Sequence, residues 1–183
     1  MCSWSAAILH RAKEIAVHPA SGQEGLPAGG LETAALVALL AEHHPAAVVL
    51  TDAAPPPGPF LLFCNRAFER LTGYARAELV GRSPRLLQGA ATERRLAARI
   101  GTAVRAGRAT RVVLTNHRRG GEAYLCDILI RPLGRDPTSG RPTHFLAFER
   151  EVLRRRGRPL SDGSGRFDPV DPALAALAPG LFD

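Results

Sequence analysis

Lysine is almost absent from this chain of 183 residues, because Lys13 is the only one and the other 23 of its 24 basic residues are arginine. Alanine, glycine, proline and arginine dominate throughout, as a GC-rich coding bias produces. The formal net charge of +7 is therefore a weak indication of nucleic-acid binding, since the arginines are scattered along the chain. We expect solvated arginine-rich surfaces, and a basic nucleic-acid-associated regulator is the less favoured alternative.

Long apolar runs are also missing, and none approaches the about 20 residues that a membrane-spanning helix needs. Residues 1–18 lack the uninterrupted apolar segment of a signal peptide. The three cysteines show no CxxC pair, and the six histidines show no metal-ligand spacing, so neither a disulfide framework nor a metal site is predicted. No Ser-His-Asp or paired-carboxylate arrangement can be identified either. These absences predict a cytoplasmic protein without a catalytic site.

Composition divides the chain into three regions. Residues 1–45 are predicted to be a helical extension with a linker, and residues 46–152 a single domain in which β-branched runs alternate with helical periods. Residues 153–183 are rich in arginine, proline and glycine, which predicts a loosely ordered tail.

The flanking regions contain three helical patterns. One is short and lies in residues 1–18; the second, Leu31–His43, has leucines at helical spacing and ends before a proline. The glycines and prolines of His18–Gly30 predict a linker between them. A third short helix is expected within residues 172–178 of the tail.

The central region predicts five strands, with helices between the second and the third. The strands are expected at Ala46–Thr51, Phe60–Cys64, Arg111–Thr115, Ala123–Leu133 and His144–Val152. The helices are expected at Asn65–Tyr74, Ala77–Val80 and Thr92–Arg105, with a short piece from Ser83 to Gly89. Asn65, Ser83 and Thr92 are the expected N-caps. This order predicts an α+β fold, a five-stranded antiparallel sheet with helices on one face and a pocket beneath them.

Three motifs of this region resemble the PAS domains of the light-oxygen-voltage (LOV) family. They are NRAFERLTGY from residue 65, ELVGRSPRLLQG from residue 78 and NHRRGGEAY from residue 116. The resemblance implies the PAS fold, with flavin mononucleotide (FMN) held in the pocket. In that family blue light makes a cysteine add covalently to the flavin, and a glutamine on the last strand passes the signal on.

Some of the family's pocket residues are present in this chain. Arg85 and Gln88 match the residues that hold the phosphate and the ribitol of the flavin, and Asn116 matches the first of two asparagines at its polar edge. By sequence alone each has an ordinary structural interpretation as well: a surface arginine, a helix-capping amide and a turn residue. The resemblance favours the pocket.

Four other pocket positions depart from the family. Pro84 replaces the photoactive cysteine, and Ser83 replaces the asparagine before it. Cys126 replaces the second asparagine, and Glu149 replaces the signalling glutamine. Without a thiol at position 84 no cysteinyl adduct is expected.

A fifth departure concerns the phosphate. Gly101 replaces the second arginine of the family, and Arg99 is a conceivable substitute two residues earlier. Losing one charge-assisted contact costs about 1.5–3 kcal/mol. The FMN site is therefore predicted to be weakened rather than lost.

The orientation of Glu149 stays open on periodicity alone. Phe145, Ala147 and Glu149 share one face of the last strand, and Leu146 and Phe148 share the other. The resemblance places Glu149 in the pocket, where an ionised carboxylate accepts hydrogen bonds and donates none.

Taken together, the motifs predict a non-catalytic sensory PAS domain with a weakened FMN site. Its output is expected through protein contacts, either as a homodimer or with an effector supplied in trans. The alternative is a PAS interaction module that works without flavin. In both cases Leu31–His43 is expected to pack on the outer sheet face or on the same helix of a partner chain.

Overall fold

The computed structural model describes residues 28–155 and 167–176, and within them it contains five α-helices and six strands. The helices are α1 (Ala28–Ala41), α2 (Arg66–Thr72), α3 (Arg76–Leu79), α4 (Arg94–Arg105) and α5 (Pro172–Ala176), with a 3₁₀ helix at Pro84–Leu87. The strands are β1 (Ala47–Asp52), β2 (Leu61–Cys64), β3 (Thr110–His117), β4 (Ala123–Leu133), β5 (His144–Arg154) and β6 (Phe167–Pro169). All observed strand pairs are antiparallel, in the spatial order β2-β1-β5-β4-β3, and β6 joins β5. The predicted α+β fold and its element order are confirmed.

Strand β1 lies inside the sheet and is covered on both faces, which explains its continuous apolar sequence. Ala47 and Val49 pack with the helices on one face, and Leu50 packs on the other face. Each of the three is at most 3% exposed.

The helices between β2 and β3 cover one face of the sheet. Phe68 of α2, Leu79 of α3 and Leu87 of the 3₁₀ helix are buried in one apolar cluster with β1. Leu96 and Ile100 of α4 pack against the apolar residues of β3 and β4. Because only one stripe of each helix is apolar, its other side faces solvent.

Helix α1 lies on the opposite face of the sheet. Its Ala38 packs in a cluster with Leu50 and Phe63, and Val37 contacts the same cluster. This is one of the two placements expected for the helix. It begins at Ala28, three residues before the predicted start, so the end of the predicted linker is helical. The predicted helix over residues 1–18 lies outside the described residues.

Strand β6 is not predicted by the sequence pattern. It pairs with the end of β5, from Val152 opposite Pro169 to Arg154 opposite Phe167. The Arg155 guanidinium forms an ion pair with Asp168 at 2.7 Å. Helix α5 then falls within the segment where a short helix is expected. Part of the tail is therefore bound to the sheet by backbone hydrogen bonds.

Thr92 is not the N-cap of α4, since the helix begins at Arg94 and Glu93 takes the cap position. The Thr92 hydroxyl instead donates to the carbonyl of Thr115 at 2.6 Å and accepts from the amide of Gly89 at 2.9 Å. The Glu93 carboxylate accepts from the amide of Thr115 at 2.8 Å. Strand β3 is at the edge of the sheet, so these side chains satisfy backbone groups that no neighbouring strand can reach.

Candidate functional site: a cavity between the sheet and the helices

A cavity of about 740 Å³ lies between the helix-side face of the sheet, the 3₁₀ helix, α4 and the proline-rich loop after β1. Its volume is within the range of about 300–1,000 Å³ that is usual for small-molecule sites. The walls are largely apolar: Val49, Leu87, Ile100, Leu114, Ile128, Ile130, Phe145 and Ala147. Such walls favour a ligand with a large apolar surface.

Six of the seven site residues named from the sequence line this cavity. They are Ser83, Pro84, Arg85, Gln88, Asn116 and Glu149. They come from the 3₁₀ helix and its N-cap, from β3 and from β5, so the fold brings together segments that are distant along the chain. The seventh, Cys126, does not line the cavity and lies behind Glu149.

The residues at the start of the 3₁₀ helix form one corner of the cavity. Pro84 is its first residue, where the missing amide hydrogen costs nothing. Ser83 occupies the N-cap position as expected, but its side chain makes no capping hydrogen bond. The Ser83 hydroxyl oxygen is buried and has no hydrogen-bond partner among the described residues. A buried hydroxyl of this kind at a cavity wall is suited to a polar atom of a ligand.

Asn116 and Glu149 place polar groups on the sheet side, where they are 3% and 5% exposed. Phe145 and Ala147 line the cavity together with Glu149, whereas Leu146 packs in the cluster with α1. The period-two alternation of β5 thus directs Glu149 into the cavity.

The carboxyl group of Glu149 is paired with a thiol. Cys126 Sγ lies 3.3 Å from Glu149 Oε2 and donates to it. Burial raises the pKa of Glu149 from 4.5 to about 7, and the Cys126 bond lowers that pKa only in part. Burial, followed by the charge of Glu149, raises the pKa of the Cys126 thiol well above its usual value. The site therefore contains a carboxyl group that titrates near neutral pH beside a thiol that stays protonated.

Three arginines, Arg85, Arg105 and Arg141, line the cavity, and Asp136 lines it as well. Arg85 is the one of the three that the sequence analysis named. The sequence reasoning missed Arg105 and Arg141.

Arg105, not Arg99, is the α4 arginine at the cavity. Gly101 lines the cavity, and Arg99 does not. A Cβ atom built on Gly101 would lie 3.2 Å from Nη1 of Arg105, so this guanidinium lies over the glycine. The available sequence signal was spacing, because residues four apart share a helix face whereas residues two apart do not.

The remaining thiol of the described residues, Cys64, is the last residue of β2 and is buried in the core cluster with residues of β1 and α2. Burial raises its pKa from 9.0 to about 12, and it does not line the cavity. Within residues 28–155 and 167–176, no group of three or more histidine, cysteine, aspartate or glutamate side chains could hold a metal ion. In the same ranges no helix is long and apolar enough to cross a membrane.

An antiparallel sheet with helices over a cavity on one face is the architecture of one known family of domains. The family model of the PAS domain matches residues 45–153, and the chain belongs to the PAS domain family. Solved structures of LOV domains are among its structural neighbours. The LOV domain of a blue-light-activated histidine kinase from Erythrobacter litoralis is 30% identical to this chain, with a TM-score of 0.53. The match covers 58% of this chain and 95% of the LOV domain structure.

Curated relatives match the same region. The bacterioopsin transcriptional activator of Halobacterium salinarum is 32% identical over 62% of this chain, and blue-light-activated histidine kinase 2 of Erythrobacter litoralis is 35% identical over 51%. The aligned regions span only 16% and 29% of those proteins. The similarity is thus to one domain of longer proteins.

The residues present fit the flavin that the LOV resemblance implies. FMN has a flat ring, a polar ring edge and a phosphate tail. The apolar walls suit the ring, and the unpartnered Ser83 hydroxyl, Asn116 and Glu149 offer polar partners to its edge. The three arginines of the lining suit the phosphate.

Proposed function

We propose that residues 46–152 form a non-catalytic sensory domain that holds FMN in this cavity. The observation that carries the proposal is the joint presence, on one largely apolar cavity, of Arg85, Gln88, Asn116 and Glu149. A bound flavin would supply absorption of blue light and the capacity to take up electrons. The chain's own residues hold and orient it: Arg85 and Gln88 at the phosphate and ribitol, Asn116 and Glu149 at the polar edge.

Among the described residues, no thiol that could add to the ligand lines the cavity. Pro84 occupies the position where the LOV family has its cysteine, and proline has no nucleophilic side chain. Cys64 and Cys126 do not line the cavity, and burial raises the pKa of both thiols. Because the thiolate is the reactive form, neither supplies a substitute nucleophile. We therefore infer that the domain responds to light or reduction without a cysteinyl adduct.

Two substitutions weaken the site in this account. Gly101 offers no cation, and Cys126 offers no amide to the ligand. A lost charge-assisted contact costs about 1.5–3 kcal/mol and a lost neutral hydrogen bond about 1 kcal/mol. The change at Cys126 lowers FMN affinity, and the change at Gly101 lowers it unless another arginine of the cavity takes over the phosphate contact. The contacts of Arg85, Gln88 and Asn116 stay in place.

The output is proposed to pass through α1. Glu149 is paired with Ala47 in the β1–β5 register, so a change at the cavity reaches the strand that follows α1. The Asn65 side-chain amide donates to the Ala41 carbonyl at the end of α1 with a 3.0 Å bond. The apolar side of α1 is partly uncovered, which supports a homodimer or an effector in trans as the receiving partner.

The test is a titration of ligand-free protein with FMN, followed by the visible absorption band and by quenching of flavin fluorescence. We expect saturable binding at one site per chain. Asn116→Leu, which removes the amide at similar volume, is expected to raise the dissociation constant about fivefold or more. Arg99→Ala, an exposed change on α4 outside the cavity, is the control and leaves it unchanged.

Failure to bind FMN would assign the chain to the second candidate, a PAS interaction module without flavin. The exposed leucines of α1 favour that candidate, because they offer a binding surface that is independent of the cavity.

A further inference from the structure

Three arginines line the same cavity, and no carboxylate in the described part of the chain pairs with any of them. The guanidinium of Arg85 donates to the Pro57 carbonyl at 3.5 Å. That of Arg105 donates to the Thr102 hydroxyl at 3.2 Å, and that of Arg141 to the Arg105 carbonyl at 3.4 Å. All of these contacts are with neutral groups. The three positive charges are therefore not neutralised by the described residues.

The carboxylate of Asp136, which lines the cavity with them, is held through one oxygen by residues of its own loop. Asp136 Oδ1 accepts from the amide and the hydroxyl of Ser139, at 2.6 and 2.8 Å, and from the amide of Thr138 at 3.1 Å. The same bonds, with those of Ser139 as the larger cause, lower the pKa of Asp136. Asp136 thus shapes the β4–β5 loop, and the arginines remain available to an anion.

Gly101 leaves the space in which Arg105 lies. With no side chain at position 101, Nη1 of Arg105 comes within 3.2 Å of the place where a Cβ atom would be. The two residues are one helical turn apart and therefore on the same face of α4. A larger residue at 101 would take that place and push the guanidinium away.

We propose that Arg105, reaching back over Gly101, binds the phosphate of the cavity ligand, with Arg141 adding positive potential beside it. The inference rests on the proposed FMN function and extends it, because it assigns the second phosphate contact to a residue one turn later on α4. A guanidinium offers two parallel donors to a phosphate, so one arginine in this place provides both charge and orientation. The Thr102 bond of Arg105 is exposed and is readily exchanged for a ligand.

The test compares FMN with riboflavin, which has the same ring and ribityl chain but no phosphate. Arg105→Ala is expected to raise the dissociation constant for FMN about ten- to hundredfold, and to leave that for riboflavin unchanged. Arg99→Ala, on the same helix but outside the cavity, is the matched control and changes neither. Retained riboflavin binding shows that the variant still folds its cavity.

A second variant moves the arginine from position 105 to position 101, one helical turn earlier on α4. Gly101→Arg combined with Arg105→Ala is expected to recover most of the FMN affinity that Arg105→Ala alone loses. An unchanged FMN constant in Arg105→Ala, or equal losses for FMN and riboflavin, would overturn this assignment while leaving the proposed function intact. If wild-type protein binds neither flavin, the proposed function fails and this inference fails with it.

Discussion

The thiol of Cys126 on β4 donates a hydrogen bond to the carboxyl group of Glu149 on β5, with Sγ 3.3 Å from Oε2. Both side chains are buried, and Glu149 lines the cavity. Tyr124 and Asp127 are titratable neighbours that also interact with this pair, and burial raises the pKa of Tyr124 as well. Cys126 and Tyr124 therefore stay neutral, and Glu149 is the group of the three that changes charge near neutral pH.

The stability of the domain is expected to fall as pH rises from about 4.5 to about 7. The folded-state pKa of Glu149, about 7, is above its ordinary value of 4.5. The folded chain therefore holds this proton more tightly than the unfolded chain does, and the stabilisation is fully present below pH 4.5 and lost above 7. The size of the loss is about 3 kcal/mol, on the order of 1.36 kcal/mol for each unit of pKa.

Urea unfolding at pH 5 and pH 8 measures this effect. Glu149→Gln carries no titrating group and serves as the comparison, since its side chain has nearly the same shape. We expect the wild type to lose about 2–3 kcal/mol more than the variant does between the two pH values, since part of the loss lies below pH 5. Parallel pH profiles would show that Glu149 does not titrate in the folded protein near pH 7.

Asn65 is expected to be among the most sensitive positions in the fold. It is fully buried, and its Oδ1 accepts from the amides of Val48 and Phe68, each at 3.0 Å. Its Nδ2 contacts three carbonyl oxygens at and after the end of α1, those of Ala41, His44 and Ala46. Asn65→Ala is expected to cost about 3–5 kcal/mol of unfolding free energy, because it leaves several buried backbone groups unpaired.

Asn65→Asp separates the two halves of this network. The aspartate keeps an acceptor for β1 and α2 but places an oxygen against the carbonyls at the end of α1. We expect it to be at least as destabilising as Asn65→Ala and to accelerate amide hydrogen exchange in α1. A variant as stable as the wild type would mean that the α1 carbonyl contacts contribute nothing.

The uncovered side of α1 is expected to hold two copies of the chain together. Leu36, Leu39 and Leu40 are 57%, 40% and 74% exposed, and their burial in a partner contact is favourable by about 25 cal/mol per Å² of apolar surface. Sedimentation is expected to show a dimer whose population rises with concentration. Leu40→Glu should give a monomer, whereas Leu153→Glu, which alters a leucine 62% exposed on β5, should not. A monomeric wild type at all concentrations would refute the α1 interface.

The order of the elements could be predicted from sequence because it depends on local signals. Asn65 caps α2 through the amide of Phe68, as predicted. Gly73 ends that helix with a φ of 75°, a conformation that glycine adopts without a Cβ clash. Such signals lie within a few residues of the elements that they define.

The features that sequence did not reveal depend on contacts between distant segments. Strand β6 forms only because β5 offers it free backbone groups, and Thr92 and Glu93 turn towards Thr115 of the sheet edge. The alternating pattern of β5 could not decide which face of the strand carries Glu149. The packing of α1 against the opposite face decides it. Arg105 was missed because the direction in which α4 faces the cavity is set by its packing on β3.

The protonation state of Glu149 also depends on contacts that form only in the folded chain. From sequence it was treated as an ionised acceptor, which holds for a carboxylate in water. Burial raises its pKa to about 7, so below that pH the side chain carries a proton and can donate it. Burial is a property of the folded state, so the sequence motif alone does not predict this pKa.

The most direct test of the central claim is the response of the flavin band to blue light in the wild type and in Pro84→Cys, both loaded with FMN. Pro84 is the first residue of the 3₁₀ helix and lines the cavity, so a cysteine there introduces a thiol with little change in the backbone. We predict that both proteins are yellow, that the wild-type band does not bleach, and that the band of Pro84→Cys bleaches and recovers slowly in the dark. Two colourless proteins in excess FMN, or a wild type that itself bleaches and recovers in the dark, would contradict the account.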